Sequence, residues 1–145
     1  MQTLDGRETA PRRMPSDAFI DPGTGEPYPF TPDLVTSGVS VGVPGTPATW
    51  ATALRKWGRW SLARALRPSI NLARNGFVVD ETFRKQTADN AERFAAFPAT
   101  RRLFLRGGEP PAVGSVFRNR ALARTLELMA RKGVRNAFYR GPLAA

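Results

Sequence analysis

Hydrophobic residues recur at helical spacing through most of the chain. Trp50, Leu54 and Trp57 fall on one face of a predicted helix, and Thr46 stands where the N-cap of that helix is expected. Tryptophans at such spacing usually contribute to a core, so we expect these side chains to be buried. The pattern as a whole predicts a helical region over residues 46–140.

Three more helices are predicted, each preceded by a residue whose side chain can accept a hydrogen bond from the first turn. These capping residues are Ser61, Asp80 and Asn119. Pro68 lies within the first of these helices and is expected to break or kink it, because proline has no backbone N–H. Gly133 is expected to end the last one, since glycine accepts the positive φ common at helix ends.

The first part of the chain has a different pattern. Five prolines and two glycines fall within residues 12–36 and predict a surface loop. Val39, Val41 and Val43 then alternate with smaller residues, and this period of two predicts a short strand or extended segment. The chain is therefore expected to be mostly α-helical, with one or two short strands near its start.

Charge is distributed unevenly along the 145 residues, a length that suits one small domain. Residues 1–50 hold three arginines against six acids, whereas residues 51–145 hold 19 basic residues against six acids. A basic half of this kind can attract nucleic acid or another anionic surface, and it also fits solvated arginines on helix faces. It contains no sequence-recognition motif, so no specific nucleic-acid partner is expected.

The candidate chemistry is narrow because the chain has no cysteine and no histidine. Their absence excludes disulfides, thiolate nucleophiles, most zinc sites and Ser-His-Asp catalysis. The acids of the first part lie in loops without metal-ligand spacing, and residues 42–46 lack the lysine of a phosphate-binding loop. No apolar run approaches the roughly 20 residues of a membrane span. We expect no metal, no cofactor and no membrane span in this chain.

A series of short motifs points to a family. In chain order these are LDGRETAP at 4–11, SG at 37–38, VGVPGT at 41–46, INLARNGFVV at 70–79, LARTL at 122–126 and AFYRG at 137–141. Each motif is weak alone, but the ordered set closely resembles the large subunit of the γ-glutamyltransferases. The resemblance covers essentially all of residues 1–145, which we interpret as a partial large-subunit domain.

The resemblance implies an α+β fold, the four-layer αββα sandwich of the N-terminal nucleophile hydrolases. Members of the family transfer the γ-glutamyl group of glutathione or a related amide to water or to an amino acid. Their precursors cleave themselves, and the new N-terminal threonine of the small subunit is the nucleophile. By resemblance, Arg7 corresponds to the arginine that binds the donor's α-carboxylate, a group that a planar guanidinium can meet with two parallel hydrogen bonds. Bacterial members act in the periplasm or outside the cell.

The same resemblance implies that this chain carries no catalytic residue. It begins at the arginine motif and stops before the family's cleavage site and small subunit, and none of Thr3, Thr9, Thr46 and Thr49 occupies the nucleophile position. We therefore expect an internal fragment that is inactive alone and needs the missing small subunit. Two other interpretations stay open. One is a related enzyme acting on poly-γ-glutamate or an acylated β-lactam, and the other is a non-enzymatic basic binding module built from Arg55 onward.

Overall fold

The computed structural model describes residues 1–144, and the chain divides into two compact units. The first unit is Met1–Trp57, and the second begins at Gly58. The interpretation of residues 1–145 as one partial domain stays a prediction.

The first unit consists of turns followed by one helix. A helical turn forms at Phe30–Leu34, a tight turn at Gly38–Ser40 and helix α1 at Thr46–Trp57. Within the described segment 12–36 every residue is exposed or half-buried, and α1 buries only Pro47. The unit therefore has little hydrophobic core of its own.

The tryptophans expected in the core are exposed, so that prediction is wrong. Trp50 and Trp57 on α1 expose 40% and 53% of their surface, and Trp60 in the second unit exposes 53%. The Lys56 ammonium lies 5.8 Å from the Trp57 ring centroid, and the Arg64 guanidinium lies 4.6 Å from that of Trp60. These two rings pack against neighbouring cations at the surface, an arrangement that the aromatic quadrupole favours.

The alternating valines form only part of the expected extended segment. Gly38–Ser40 is a helical turn, because the Ser37 hydroxyl accepts a hydrogen bond from the Val39 N–H at 3.1 Å and competes with strand pairing. Val43 is extended and makes an isolated antiparallel bridge with Thr9. The prediction of extended backbone is therefore correct at Val43 and wrong at Gly38–Ser40.

Helix α1 begins one residue earlier than predicted, at Thr46, so that Gly45 precedes its first residue. The Thr46 hydroxyl donates to the Gly6 carbonyl at 3.4 Å, while the Gly45 carbonyl accepts the Thr49 N–H at 3.1 Å. The Thr46 hydroxyl therefore also bonds to a residue distant in sequence, a contact that the local pattern did not indicate.

The second unit contains the other helices and a small sheet. The elements in chain order are α2 (Leu62–Asn75), β1 (Phe77–Val78), α3 (Glu81–Asp89), α4 (Ala91–Ala95), α5 (Pro98–Phe104), β2 (Val116–Phe117), α6 (Arg120–Val134) and a helical turn at Arg135–Tyr139. The expectation of a mostly helical chain is confirmed.

The three predicted caps of this unit are confirmed. Ser61, Asp80 and Asn119 each accept a hydrogen bond from the backbone N–H three residues on, at 3.2, 2.7 and 2.9 Å. Gly133 has a φ of 73° and interrupts the helical backbone near the end of α6, as predicted. Local hydrogen bonding therefore defines these helix boundaries.

Helix α2 continues through Pro68, so the predicted break is wrong. Leu66 and Ile70, on either side of the proline, are buried, and α2 packs along α6. Burial of two such side chains contributes about 3 to 6 kcal/mol, which matches or exceeds the roughly 3 kcal/mol cost of an internal proline. An ion pair between Arg74 of α2 and Glu127 of α6 also joins the two helices.

The sheet lies in the second unit, not near the start of the chain as expected. Strands β1 and β2 pair antiparallel, with Phe77 opposite Phe117. Phe83 packs against both rings, at centroid distances of 5.2 and 4.9 Å, and Phe104 stacks on Phe117 at 5.4 Å. Two-residue strands carry no periodic signal, so sequence spacing could not locate this pair.

Candidate functional site

Arg7 lies in an exposed loop whose backbone is held at two points. The Arg7 N–H donates to the Asp5 carboxylate at 3.0 Å. Two residues later, Thr9 and Val43 exchange backbone hydrogen bonds of 3.2 and 2.8 Å. The loop that carries the arginine is thereby fixed against the segment that leads into α1.

Two glycines allow this close approach. A Cβ at Gly42 would lie 2.6 Å from Cγ of Glu8, and a Cβ at Gly45 would collide with the Arg7 carbonyl oxygen. Real Cβ atoms essentially never make contacts this short, so a larger residue at Gly42 must displace the Glu8 side chain and one at Gly45 must displace the backbone at Arg7. The LDGRETAP and VGVPGT motifs, distant in sequence, therefore meet in the first unit.

The Arg7 side chain projects into solvent. It is 82% exposed, and its Nε donates to Oε1 of Glu8 at 3.2 Å. Within residues 1–144 its two terminal guanidinium nitrogens have no hydrogen-bond partner. The group thus presents the two-nitrogen edge that can bind a carboxylate with parallel, charge-assisted bonds.

The pKa of the Glu8 carboxyl is lowered from its ordinary value. The largest cause is a hydrogen bond from the backbone N–H of Glu8, followed by the hydrogen bond from the Arg7 side chain. Both interactions favour the charged form. Glu8 is therefore a carboxylate at neutral pH and holds one edge of the guanidinium.

The threonine hydroxyls near this loop bond to backbone carbonyls. Thr46 donates to Gly6 at 3.4 Å and Thr49 to Gly45 at 3.2 Å.

Within residues 1–144 no group of three acidic side chains is placed to bind a metal ion. Each helix in the same range is too short or too polar to span a bilayer.

Three contributors to the loop were not predicted from the sequence. Glu8 belongs to the loop acids that lack metal-ligand spacing, and it bonds to the side chain of its neighbour Arg7. Gly42 and Gly45 belong to the segment that lacks the lysine of a phosphate-binding loop, and they permit the approach of the arginine loop. The repeated glycines next to α1 were the available signal, because a glycine often marks a site of close backbone approach.

Comparisons with known proteins agree on one family. The Gamma-glutamyltranspeptidase family model matches residues 1–145. The glutathione hydrolase proenzyme of Bacillus subtilis is 38% identical over 141 residues, which cover 97% of this chain and 23% of that protein. The crystal structure of Helicobacter pylori gamma-glutamyltranspeptidase superposes with a TM-score of 0.87 at 30% identity, covering 97% of this chain and 39% of that one.

An acylase has a similar structure. The cephalosporin acylase of Bacillus halodurans matches with a TM-score of 0.82 at 29% identity, over 97% of this chain and 26% of that chain. These structures are N-terminal nucleophile hydrolases, which confirms the predicted fold class. The chain spans 23% of the length of the Bacillus subtilis relative.

Proposed function

The chain belongs to the gamma-glutamyltranspeptidase family, and from that premise we propose that it supplies one wall of the donor site in a γ-glutamyl-transferring enzyme. The whole enzyme takes the γ-glutamyl group of glutathione or a related amide and gives it to water or to an amino acid. The nucleophile is a threonine of the small subunit, formed when the precursor cleaves itself. Since we assign the nucleophile to the small subunit, we expect residues 1–145 alone to be inactive.

In this proposal Arg7 binds the α-carboxylate of the donor. The observation that supports it is the combination of a fixed backbone and an available guanidinium edge. Backbone bonds between Thr9 and Val43 hold the loop, while the terminal nitrogens of Arg7 are unpaired within residues 1–144. Such an arrangement lowers the entropy lost when a carboxylate binds.

The Glu8 carboxylate holds the Arg7 side chain through Nε and leaves the terminal guanidinium nitrogens for the donor. It accepts from Nε at 3.2 Å, and this leaves the terminal nitrogens for the ligand. The α-carboxylate lies at a distance from the scissile amide, so the interaction positions the donor and takes no part in proton transfer. This role belongs to substrate binding and orientation.

A chimera tests the proposed function. Residues 1–145 replace the matching segment of the Bacillus subtilis glutathione hydrolase proenzyme, and self-cleavage on a denaturing gel reports correct folding. A cleaved chimera is expected to hydrolyse a chromogenic γ-glutamyl anilide. A cleaved chimera that prefers a glutaryl-β-lactam amide or a poly-γ-glutamate chain would instead favour an acylase or a polymer-acting relative.

The place of action follows from the same proposal. Bacterial enzymes of this kind work in the periplasm or outside the cell, and we extend that location to the whole enzyme. Fractionation of cells that express the full precursor tests this, with activity expected in the periplasmic or secreted fraction.

A further inference from the structure

A cleft in the second unit, between α5 and the start of α6, concentrates positive charge. The cleft is open to solvent and has a volume of about 420 Å³. Its lining includes Thr100, Arg102, Leu103, Phe104, Asn119 and Arg120. The cleft therefore combines two arginines with an apolar floor and two neutral polar side chains.

The two arginines of the cleft are unneutralised. Within residues 1–144 neither Arg102 nor Arg120 has a side-chain hydrogen bond or an ion pair, and no acid lines the cleft. They come from different elements, the last turn of α5 and the first residue of α6. Because both line the same cleft without an acid beside them, an anion bound there would be attracted by two positive charges.

A neighbouring cleft shows that this arrangement is not general in the unit. The second cleft shares Leu103 and Phe104 with the first, but its charged lining is one arginine, Arg106, and one glutamate, Glu109. Two clefts that share the same apolar residues thus differ in charge. Positive charge without a neighbouring acid distinguishes the cleft that contains Arg102 and Arg120.

The floor of the cleft is apolar and well supported. Phe104 is half-buried, and its ring lies 5.0 Å from that of Phe94 and 5.4 Å from that of Phe117. A ring held by two others keeps its place when a ligand arrives, and it offers an apolar surface beside the charges. The volume also falls in the range of small-molecule sites.

We propose that this cleft binds a small organic anion, in which one carboxylate or phosphate group adjoins an aromatic or apolar body. The two guanidinium groups hold the anionic group, and Leu103 and Phe104 contact the apolar part. Each lining residue of this site belongs to the second unit, and Arg7 is not among them.

Titration of the ¹⁵N-labelled 145-residue chain with four probes tests the proposal by NMR. Phenyl phosphate and phenylacetate carry both features, inorganic phosphate carries only the charge, and benzyl alcohol carries only the ring. At least one of the first two is expected to give saturable shifts in residues 99–104 and 119–121 and to bind more tightly than the single-feature probes. The better of them identifies the anionic group.

Variants connect that binding to the two arginines. Arg102→Gln and Arg120→Gln are each expected to weaken binding about ten-fold or more, the scale of one charged hydrogen bond. Arg102→Lys keeps the charge and is expected to weaken binding less than Arg102→Gln. Arg101→Gln is the matched control, because Arg101 is exposed on the same helix and does not line the cleft.

Two results would overturn the proposal. One is the absence of saturable shifts with both two-feature probes, in a chain whose other amide signals show that it is folded. The other is an equal loss of affinity in Arg101→Gln and Arg102→Gln, because binding would then follow the net charge of the surface and not the cleft.

Discussion

Replacing Gly45 by alanine tests whether the close approach at Gly45 sets the position of Arg7. If it does not, Arg7 is an ordinary exposed arginine in a loop. A Cβ at residue 45 would collide with the Arg7 carbonyl oxygen and would lie 2.7 Å from that of Gly6. Both obstacles are backbone atoms, which cannot rotate away as a flexible side chain can. The substitution must therefore displace the loop that carries Arg7.

The magnitude follows from two opposing effects. Alanine in a backbone conformation that it tolerates stabilises a protein by about 0.4 to 1 kcal/mol, because it restricts the unfolded chain. Overpacking costs about 1 to 3 kcal/mol. The overpacking cost exceeds the stabilisation by about 1 to 2 kcal/mol. We expect the displaced loop to lose donor binding on the same scale, which corresponds to roughly five-fold to thirty-fold in kcat/KM at 1.36 kcal/mol per ten-fold change.

The assay is donor hydrolysis by a self-cleaved chimera that carries the substitution. Gly38→Ala is the matched control, since a Cβ at residue 38 would meet nothing within 4 Å. This control is expected to retain the parent's kcat/KM. Equal kinetics in the parent and in both variants would refute the reasoning that Gly45 sets the position of Arg7.

The remaining predictions concern the core, the carboxylate beside Arg7 and the isolated chain. Leu126→Ala should destabilise the chain by about 2 to 5 kcal/mol in urea unfolding, because Leu126 is 6% exposed, whereas Leu122→Ala at a site 45% exposed should cost about 1 kcal/mol or less. An NMR titration should place the pKa of Glu8 below that of an ordinary glutamate, and Arg7→Gln should raise it only in part, because the backbone N–H is the larger cause. With a lowered pKa in the folded state, the contribution of Glu8 to stability is present above the ordinary glutamate value and is lost as the pH falls through the lowered one. The isolated chain should not hydrolyse a γ-glutamyl anilide, and turnover that survives repurification would contradict the assignment of the nucleophile to the small subunit.

Local chemistry predicted the helix boundaries of the second unit well. Ser61, Asp80 and Asn119 cap their helices because the hydrogen bond that each accepts lies within three residues of the cap. Such a bond depends on the sequence around it and on little else. The local sequence was therefore sufficient to predict these three helix starts.

Tertiary contacts explain where the sequence reasoning failed. The Thr46 hydroxyl donates to the carbonyl of Gly6, forty residues away, and α1 begins at Thr46, one residue before the predicted start. Pro68 stays inside α2 because its neighbours Leu66 and Ile70 are buried. The partner is Gly6 for Thr46 and helix α6 for the buried side chains of α2. Both lie far away in sequence, where spacing and propensity carry no information about them.

The candidate site was predicted through resemblance and not through local pattern. Taken alone, Arg7 is one exposed arginine among 19 in the chain. Its surroundings, the bridge at Thr9 and the close approaches at Gly42 and Gly45, appear only when the two motifs meet in the folded unit.

The central claim is that Arg7 binds the α-carboxylate of the donor, and donor kinetics of Arg7→Lys in the self-cleaved chimera test it most directly. Lysine keeps the charge but offers one ammonium in place of a planar fork, so the loss should be about 1.5 to 3 kcal/mol. That corresponds to a ten-fold to more than hundred-fold change, seen mainly as a raised donor KM, with self-cleavage intact. Arg12→Lys, another exposed arginine of the first unit, should leave the kinetics unchanged. Unchanged donor KM and kcat in a fully cleaved Arg7→Lys variant would contradict the claim.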